Sequence, residues 1–310
     1  MAMHLSYDAV LLIAFGGPTA PEEIRPFLDR VLRGIPIPPE RIEEVVHHYE
    51  AVGGKSPLNE ITFQQAEALQ KELSAREICL PVYVGLRNAS PFFTETLTRM
   101  AGDGVQRALG FILSSHQTEA SWDRYKKNIS DAISEVGHQA PEVSYCEGWH
   151  DHPLFIRTWT ELIESSLAKT SAPAKTPLIF TAHSLPASMA AQSPYVKQLE
   201  TSARLIAARL SHECWSLAYQ SRSGKPSDPW LEPDIRRTIR DLASQSVSEI
   251  VVAPIGFVCD HVEVLYDLDI EAQKVAAELG FRMLRVSCPN DHPTFIRLMA
   301  TVIRAKLLEM

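Results

Sequence analysis

The chain has 310 residues, a length that suggests two domains of ~150 residues each. Hydrophobic residues make up 45% and charged residues 22% of the sequence, which is typical of a globular protein with a substantial apolar core. The formal net charge of −8 argues against a nucleic-acid-binding surface, and no apolar run approaches the ~18 residues that a membrane span needs.

The five cysteines are scattered along the chain and never form a C-x-x-C pair. This pattern is typical of a reduced intracellular protein and lacks the spacing of a zinc or iron–sulfur site. The N-terminal segment has neither a basic region nor a small-residue cleavage site, so we interpret it as the first strand and not as a signal peptide. We therefore expect a cytoplasmic protein.

Short apolar runs alternate with helical patterns through the first half of the chain. DAVLLIAFGGP predicts a strand, and helices are predicted over PEEIRPFLDRVLRG, RIEEVVHHYEAVGG and ITFQQAEALQKELSARE. The strands LPVYVGL, RALGFILSS and VSYCEGW then alternate with the helices SPFFTETLTRMAGDG, SWDRYKKNISDAISEVG and PLFIRTWTELIESSLAKT. Continuous apolar strands with helical crossovers predict a parallel sheet that is covered on both faces.

The segment SAPAKTP predicts a linker, and the same pattern restarts after it. The strands PLIFTAHS, WSLAYQSRS, EIVVAPIGFV and FRMLRVSCPN alternate with helices, and HPTFIRLMATVIRAKLLEM predicts a closing helix. We predict an α/β protein with two Rossmann-like, doubly wound domains and parallel sheets, over residues 1–171 and 172–290. The closing helix, residues 291–310, is expected to pack back on the first domain. Ligands in this architecture bind at the carboxyl ends of the strands.

An acidic segment follows the strand EIVVAPIGFV. Asp260, Glu263, Asp267 and Glu271 are spaced by three, four and four residues, so they are predicted to share one face of a helix, with His261 among them but off that face. Stacked like charges repel, whereas a site that collects a cation or passes on protons makes use of them. The alternative is an ordinary solvated helix face, favoured by the positive end of the helix dipole.

Three further features follow predicted strands. His183 comes directly after LIFTA, and a histidine that faces stacked carboxylates suits proton transfer or a first-row divalent metal, although loop backbone could equally satisfy it. The FGGP run, Phe15–Pro18, is either a tight turn or a place where a phosphate approaches the backbone, but it lacks the G-x-G-x-x-G spacing. Trp230, in the loop SDPWLEPD, is either a cap on the core or a flat wall for a ligand.

Five motifs together resemble the ferrochelatases, which insert ferrous iron into a porphyrin near the end of haem biosynthesis. They are FGGP, YEAVGGKSPLNEIT, HSLP, QSRSGKPSDPWLEPD and PIGFVCDHVEVLYDLDIE, and the resemblance runs from residue 8 to residue 305. The resemblance implies two Rossmann-like domains of the class II chelatase type, with the porphyrin in a cleft between them. This agrees with the fold that the strand and helix patterns predict.

The resemblance also implies roles for individual residues. His183 and Glu263 correspond to the paired catalytic residues, and these two together with Asp267 and Glu271 are the expected metal ligands. FGGP, RPFLDRVLRGIPIPPERIEEV and R-N-x-x-P resemble the bacterial branch that metalates coproporphyrin III. The expected substrate-binding residues are Phe15, Arg33, Ser56, Arg87, Asn88, Ser121 and Trp230. Lys55, Arg124 and Lys126 are further candidate donors for propionates, and the alternative for each basic residue is an ordinary surface charge.

The resulting hypothesis is a ferrochelatase that makes coproheme from coproporphyrin III and Fe²⁺. The alternatives are a protoporphyrin IX ferrochelatase and a porphyrin or metal carrier without turnover; the chain length and the DPW motif argue against a cobalt chelatase for a sirohydrochlorin-type ring. We expect Fe²⁺ as substrate, no required cofactor and no iron–sulfur cluster, and we leave open a divalent cation near Asp267 and Glu271. The expected partners are the porphyrin, iron and a transient enzyme of the haem pathway, with neither nucleic acid nor an integral membrane segment.

Overall fold

The computed structural model describes residues 6–34, 38–223, 228–245 and 247–309. The chain forms two compact units, each with its own four-stranded parallel sheet. Unit 1 comprises the described residues up to Ser114, residues 120–148 and the described residues from Asp291 onward. Unit 2 comprises residues 115–119 and the described part of 149–290.

The sheet of unit 1 has the strand order β2-β1-β3-β4. All six residues of β1 are buried, because an apolar central strand of a parallel sheet is covered on both faces. Its position between two neighbours is set by the pairing of Val10 with both Val82 and Leu109. The strands are β1 (Ala9–Ala14), β2 (Val82–Leu86), β3 (Arg107–Ile112) and β4 (Glu142–Tyr145).

Amphipathic helices cover this sheet. In the longest of them Leu58, Leu69 and Leu73 are buried at helical spacing, while Glu60, Glu67 and Lys71 are exposed. The closing helix contacts it, and the Arg76 guanidinium donates to the Thr301 hydroxyl over 3.0 Å. The helices are α1 (Ile24–Val31), α2 (Pro39–Ala51), α3 (Leu58–Ala75), α4 (Phe93–Gly102), α5 (Arg124–Val136) and the closing helix (Pro293–Leu307).

The sheet of unit 2 repeats the same topology, with the order β6-β5-β7-β8. Its strands are β5 (Leu178–His183), β6 (Trp215–Gln220), β7 (Glu249–Ala253) and β8 (Arg282–Arg285). Its helices are α6 (Pro153–Leu167), α7 (Ala187–Ala191), α8 (Tyr195–Leu210), α9 (Ile235–Asp241), α10 (Val262–Tyr266) and α11 (Gln273–Glu278), and the closing helix of unit 1 is therefore α12.

The boundary between the units differs from the prediction. We predicted a change of domain between residues 171 and 172, whereas the structure places it between Gly148 and Trp149. The reason is the apolar face of α6, where Phe155, Trp159 and Ile163 are buried and the helix contacts α8 of unit 2. The Pro- and Ala-rich segment that we predicted as a linker is the short connection from α6 to β5.

The strand order places the ends of β5 and β7 next to each other. In each sheet the first strand lies between the second and the third, so the chain leaves it in opposite directions, and such a switch point is where ligand crevices form. The turn after β7 packs tightly on β5: a Cβ on Gly256 would lie 2.6 Å from Ala182 Cβ, and the Gly256 amide donates to the Thr181 carbonyl over 3.1 Å. Glycine at position 256 therefore allows the segment that carries the acidic helix to approach the end of β5.

Candidate active site

His183 is the last residue of β5, at the switch point of the unit 2 sheet. Its Nδ1 lies within hydrogen-bond distance of the Ser184 carbonyl oxygen. Because a carbonyl can only accept, Nδ1 carries the hydrogen in the neutral ring, and Nε2 keeps a lone pair that can take a proton or bind a metal. The Tyr195 hydroxyl, whose pKa burial raises, donates to the His183 carbonyl over 3.0 Å and holds the strand end in place.

Glu263 faces this nitrogen. Its Oε2 lies 3.7 Å from His183 Nε2, and its side chain is 40% exposed, so solvent reaches the pair. The main chain of Glu263 is tied to both neighbouring strands through Gln220, which donates to the Glu263 carbonyl over 3.1 Å and accepts from the Thr181 hydroxyl over 2.8 Å. The structure therefore brings together the two residues that the sequence predicted as the catalytic pair.

His261 is a third member of this group, which the sequence placed among the carboxylates but off their face and which we did not predict as a site residue. Its Nε2 lies 3.9 Å from Glu263 Oε2, its side chain is 17% exposed, and its ring contacts Phe257 edge-on with centroids 4.6 Å apart. Burial lowers the pKa of His261, although the Glu263 and Asp260 carboxylates oppose that shift. The ring packs against Phe257 with its Nε2 directed at the glutamate. The sequence signal was its position two residues before Glu263.

Asp260 does not belong to the acidic face, and the predicted stack of four carboxylates is wrong at this position. Helix α10 begins only at Val262, after His261, whose backbone is extended (φ −157°, ψ 177°). The extended residue turns Asp260 away, and its carboxylate accepts from Arg285 Nη1 over 2.7 Å and from the Asn290 amide over 2.8 Å.

Asp267 and Glu271 lie in a π-helical turn, Asp267–Ala272, which joins α10 to α11. The Asp267 side chain accepts a hydrogen bond from the Ser221 hydroxyl at the end of β6, and Asp267 is only 9% exposed. Glu271 Oε2 lies 3.2 Å from Arg236 Nη1, and Arg236 also binds Asp234. The alternative of a solvated acidic face is therefore wrong for Asp267, because this carboxyl is buried and partnered.

Burial raises the pKa of Asp267 to about 7, and the neighbouring Glu263 and Glu271 carboxylates add to the shift, against the hydrogen bond from Ser221 and the charge of Arg236. A carboxyl with this pKa exchanges its proton near neutral pH. In the described part of the chain, no group of three or more His, Cys, Asp or Glu side chains lies close enough together to hold a metal ion. The metal-ligand set His183, Glu263, Asp267 and Glu271 therefore stays a prediction.

The raised pKa of Asp267 makes stability depend on pH. The folded protein keeps a proton that the unfolded chain, with a carboxyl pKa of 3.8, has already released, so stability from this group is lost as the pH rises from about 4 to about 7. Asparagine at position 267 has no proton to lose, so the variant avoids this loss of stability. We therefore expect the free energy of unfolding of Asp267→Asn, minus that of wild type, to be ~2–3 kcal/mol larger at pH 8 than at pH 5. Urea unfolding of both proteins at the two pH values measures this difference.

Asp131→Asn, on the exposed surface of α5, controls for the loss of one negative charge. An Asp267→Asn variant whose stability relative to wild type is the same at pH 5 and pH 8 would contradict the prediction.

Trp230 lies beside the segment that follows His183. The Ala187 amide donates to the Pro229 carbonyl and the Leu231 amide to the Leu185 carbonyl, each over 2.9 Å, so the two loops run antiparallel. The Trp230 Nε1 is buried and has no hydrogen-bond partner among the described residues. The loop thus joins the HSLP and DPW motifs, while residues 224–227 of the longer motif around Trp230 lie outside the described part of the chain.

In unit 1 the first two strands end at a cluster of predicted substrate-binding residues. The Phe15 carbonyl accepts from the backbone amide and the side-chain amide of Asn88, over 2.9 and 3.1 Å. The Arg87 guanidinium carbon lies 5.8 Å from the centroid of the Phe15 ring. Burial lowers the pKa of Arg87, Tyr125 opposes this, and the nearby Arg124 lowers it further. No carboxylate within the described ranges pairs with Arg87, so this half-buried cation is available to an anion.

The FGGP run is a tight turn held by side chains. Gly16 has φ +77°, and the Gly17 amide donates to the Asn59 side chain over 2.8 Å, so this amide is not available to a phosphate. Ser56 is buried against Gly17, and its hydroxyl accepts from the Leu58 amide over 3.3 Å. Ser56 and Asn88 thus hold the loop at Phe15, and their direct contact with a substrate stays a prediction.

The other expected substrate-binding residues of unit 1 come from the turn after α1 and the turn before α5. Arg33 is exposed in the turn after α1, and Ser121 is half-buried in the π-helical turn Glu119–Asp123 before α5. The Lys126 ammonium lies over two rings, 5.3 Å from Trp122 and 5.4 Å from Tyr145, and is already engaged. A residue that we missed, Arg30, donates to the Asn88 carbonyl over 3.1 Å.

Comparison with known proteins decides the family. A family model described as Ferrochelatase matches residues 7–307. The chain belongs to the ferrochelatase family. It is therefore a lyase of haem biosynthesis that inserts iron into a porphyrin, as the sequence predicted, and porphyrin and iron are its substrates.

Curated members of the ferrochelatase family match nearly the whole chain. The chain is 43% identical over 304 residues to a ferrochelatase of Rhodopirellula baltica, covering 97% of this chain and 86% of the relative. It is 41% identical over 313 residues to the coproporphyrin III ferrochelatase of Nocardia farcinica, covering 98% and 89%. It is also 41% identical to the coproporphyrin III ferrochelatase of Mycobacterium avium over 302 residues, covering 96% and 88%.

Solved structures confirm the predicted fold class. SirB from Bacillus subtilis with Fe³⁺ superposes with a TM-score of 0.62 at 9% identity, covering 97% of this chain and 95% of that one. CbiX, described as the terminal enzyme for biosynthesis of sirohaem in denitrifying bacteria, gives 0.57 at 15% identity, covering 96% and 98%. The α/β architecture with two four-stranded parallel sheets is thus that of the class II chelatases. No helix of the described residues is long and apolar enough to cross a membrane.

Proposed function

We propose that this ferrochelatase inserts Fe²⁺ into coproporphyrin III to give coproheme, with His183 and Glu263 as the catalytic residues. The observation that carries the catalytic assignment is the 3.7 Å approach of His183 Nε2 to Glu263 Oε2 at the switch point of the unit 2 sheet. The substrate assignment draws support from the half-buried Arg87 beside Arg124 and from relatives named coproporphyrin III ferrochelatase.

Metal insertion removes two pyrrole protons as Fe²⁺ binds the ring nitrogens, so the site must accept two protons. Neutral His183 accepts the first at Nε2, because its Nδ1–H is already donated to the Ser184 carbonyl. The imidazolium that forms is stabilised by the Glu263 carboxylate opposite it. Glu263 accepts the second proton, and its exposure gives that proton a route to solvent.

Asp267 extends this route away from His183. Its carboxyl has a pKa of about 7, so both protonation states are populated near neutral pH and it can receive a proton from Glu263 and release it. Glu271 lies four residues further along the same turn and is held by Arg236. The same carboxylates, when ionised, suit a hydrated divalent cation, so we propose that Fe²⁺ approaches along them.

The preference for coproporphyrin III follows from charge. Coproporphyrin carries four propionates, whereas protoporphyrin IX carries two propionates and two vinyl groups. We propose that Arg87 and Arg124 bind a propionate, because a half-buried guanidinium without a carboxylate partner gains most from an anion that forms paired hydrogen bonds with it. The stacking of Arg87 on Phe15 orients the guanidinium for this contact.

Side-by-side kinetics of Fe²⁺ insertion under anaerobic conditions test the substrate. We expect kcat/KM for coproporphyrin III to exceed that for protoporphyrin IX, and we expect Arg87→Met to lower kcat/KM for coproporphyrin III ~10-fold or more, mainly through KM, as loss of a charge-assisted bond predicts. Arg107→Met, an arginine at the exposed start of β3, is the matched control.

A higher kcat/KM for protoporphyrin IX in the same detergent-controlled assay would instead support a protoporphyrin ferrochelatase that makes protohaem. Stoichiometric binding without turnover would support a carrier. We further propose that the enzyme works in the cytoplasm, needs no resident cofactor or iron–sulfur cluster, and passes its product to a transient partner enzyme of the haem pathway.

A further inference from the structure

One arginine contacts two separate parts of the segment that carries the catalytic glutamate. Arg285 is the last residue of β8 and its side chain is 17% exposed. Its Nη1 donates to Asp260 Oδ1 over 2.7 Å, and its Nε and Nη2 donate to the two oxygens of Asp269, each over 2.8 Å. A single planar guanidinium thus bridges two carboxylates of the same chain segment.

The two carboxylates flank the catalytic groups. Asp260 precedes His261, the residue that caps α10, while Asp269 lies in the π-helical turn that contains Asp267. Along an α-helix, residues 262 to 269 span about 10 Å. The bridge from Arg285 therefore ties together the beginning and the far end of the segment that carries Glu263 and Asp267.

The near end of the segment is held by further bonds. The Asp260 amide donates to the Asn290 side chain over 2.9 Å, and the Asn290 side chain donates back to Asp260 Oδ2 over 2.8 Å. The Asp260 side chain is only 15% exposed, and Asn290 has φ +46°, a conformation that asparagine tolerates. The turn that positions His261 is thus anchored, through Asp260, to Asn290, the last residue of unit 2.

Energetics favour a role in geometry over one in stability. A largely buried ion pair contributes little net stability compared with apolar residues of the same volume, because removing its charges from water is costly. What it provides is a defined geometry, and a guanidinium with three fixed donor directions defines it more tightly than an ammonium does. We propose that Arg285, with Asp260 and Asp269, is a positioning clamp that holds the Glu263 carboxylate at its distance from His183.

This inference rests on the proposed catalytic role of Glu263, and it predicts coupling between the two residues. Lysine at position 285 keeps the charge but cannot bond both carboxylates in the same way. We expect Arg285→Lys to lower kcat for Fe²⁺ insertion ~10-fold, with KM for the porphyrin changed less than ~2-fold, since the substrate-binding side chains are untouched. In a Glu263→Gln background the same substitution should change kcat by less than ~2-fold, because the group that the clamp positions is already lost.

Arg282→Lys is the matched control. Arg282 lies on the same strand and forms an ion pair with Glu249 at 2.8 Å, but it touches no residue of the acidic segment. Its substitution should leave kcat and KM at the wild-type values. If Arg285→Lys does not fold, as judged by circular dichroism, Asp269→Asn is used in its place. It disrupts only the paired bonds from Arg285 to Asp269, and the same changes in kcat and KM are expected.

Three results would overturn the clamp: an unchanged kcat in the folded variant, a change confined to KM, or the same fold-loss in the wild-type and Glu263→Gln backgrounds. Wild-type activity of Glu263→Gln would instead contradict the proposed catalytic role of Glu263. The clamp would then have no catalytic group to position.

Discussion

His183→Ala is expected to lower kcat for iron insertion by ~10²–10⁴-fold, the usual contribution of a positioned general base. The ring is removed from the end of β5, where its Nε2, the proposed proton acceptor, faces Glu263 over 3.7 Å. The strand itself should survive, because its pairing with β6 and β7 is made by the backbone. The measurement is single-turnover insertion of Fe²⁺ under anaerobic conditions, with circular dichroism as the test of folding.

His138→Ala, at an exposed position after α5, controls for loss of an imidazole and should have wild-type activity. Added imidazole should restore part of the activity of His183→Ala, because a small base can occupy the space that the substitution leaves. A folded His183→Ala enzyme that turns over at the wild-type rate would show that His183 takes no part in catalysis and that its ring only forms a hydrogen bond with loop backbone.

Glu263→Gln is expected to have the second largest effect, a loss of ~10²-fold in kcat. In the proposed mechanism it removes both a proton acceptor and the charge that stabilises the His183 imidazolium. Asp267→Asn should lower kcat ~10-fold or less, because this residue acts one step later on the proposed proton route. Glu271→Gln should act mainly on the apparent KM for Fe²⁺. Steady-state kinetics with iron and porphyrin varied separately distinguish these effects.

Glu278→Gln, at the exposed end of α11, is the matched control for loss of one carboxylate from the same helical segment. Equal and small losses at positions 263, 267 and 271 would contradict an ordered path. They would instead indicate that the acidic face is a passive surface, which is the interpretation that its charge pattern alone allows.

The proposed catalytic pair and the proposed path through Asp267 and Glu271 differ in their protein partners. The His183 and Glu263 side chains lie 3.7 Å apart, the His183 Nδ1 is within hydrogen-bond distance of the Ser184 carbonyl, and the Glu263 carbonyl accepts from Gln220. The path through Asp267 and Glu271 rests on their order in the helix and on the raised pKa of Asp267, while each of them is also bound by a protein partner, Ser221 or Arg236. Iron that moves along the path must therefore compete with these partners.

The pairing of His183 with Glu263 was implied by the resemblance to the ferrochelatases. The sequence by itself determined the two parallel sheets and the positions of His183 and the acidic segment directly after strands. These follow from local signals: apolar strands of five or six residues, the breaks at glycine and proline, and motifs placed directly after a strand. Parallel strands bring their carboxyl ends to one edge of the sheet. The proximity of the residues after β5 and β7 can therefore be predicted without knowing how the side chains pack.

Only the tertiary structure decided which partners the acidic residues have. Helical spacing placed Asp260 beside Glu263, but an extended His261 turned it toward Arg285, which is 25 residues away in the chain. Ser221 reaches Asp267 across 46 residues. The helix α6 joined unit 2 although it precedes the predicted linker. Such pairings depend on the burial of side chains from distant segments, and periodicity within one segment carries no information about them.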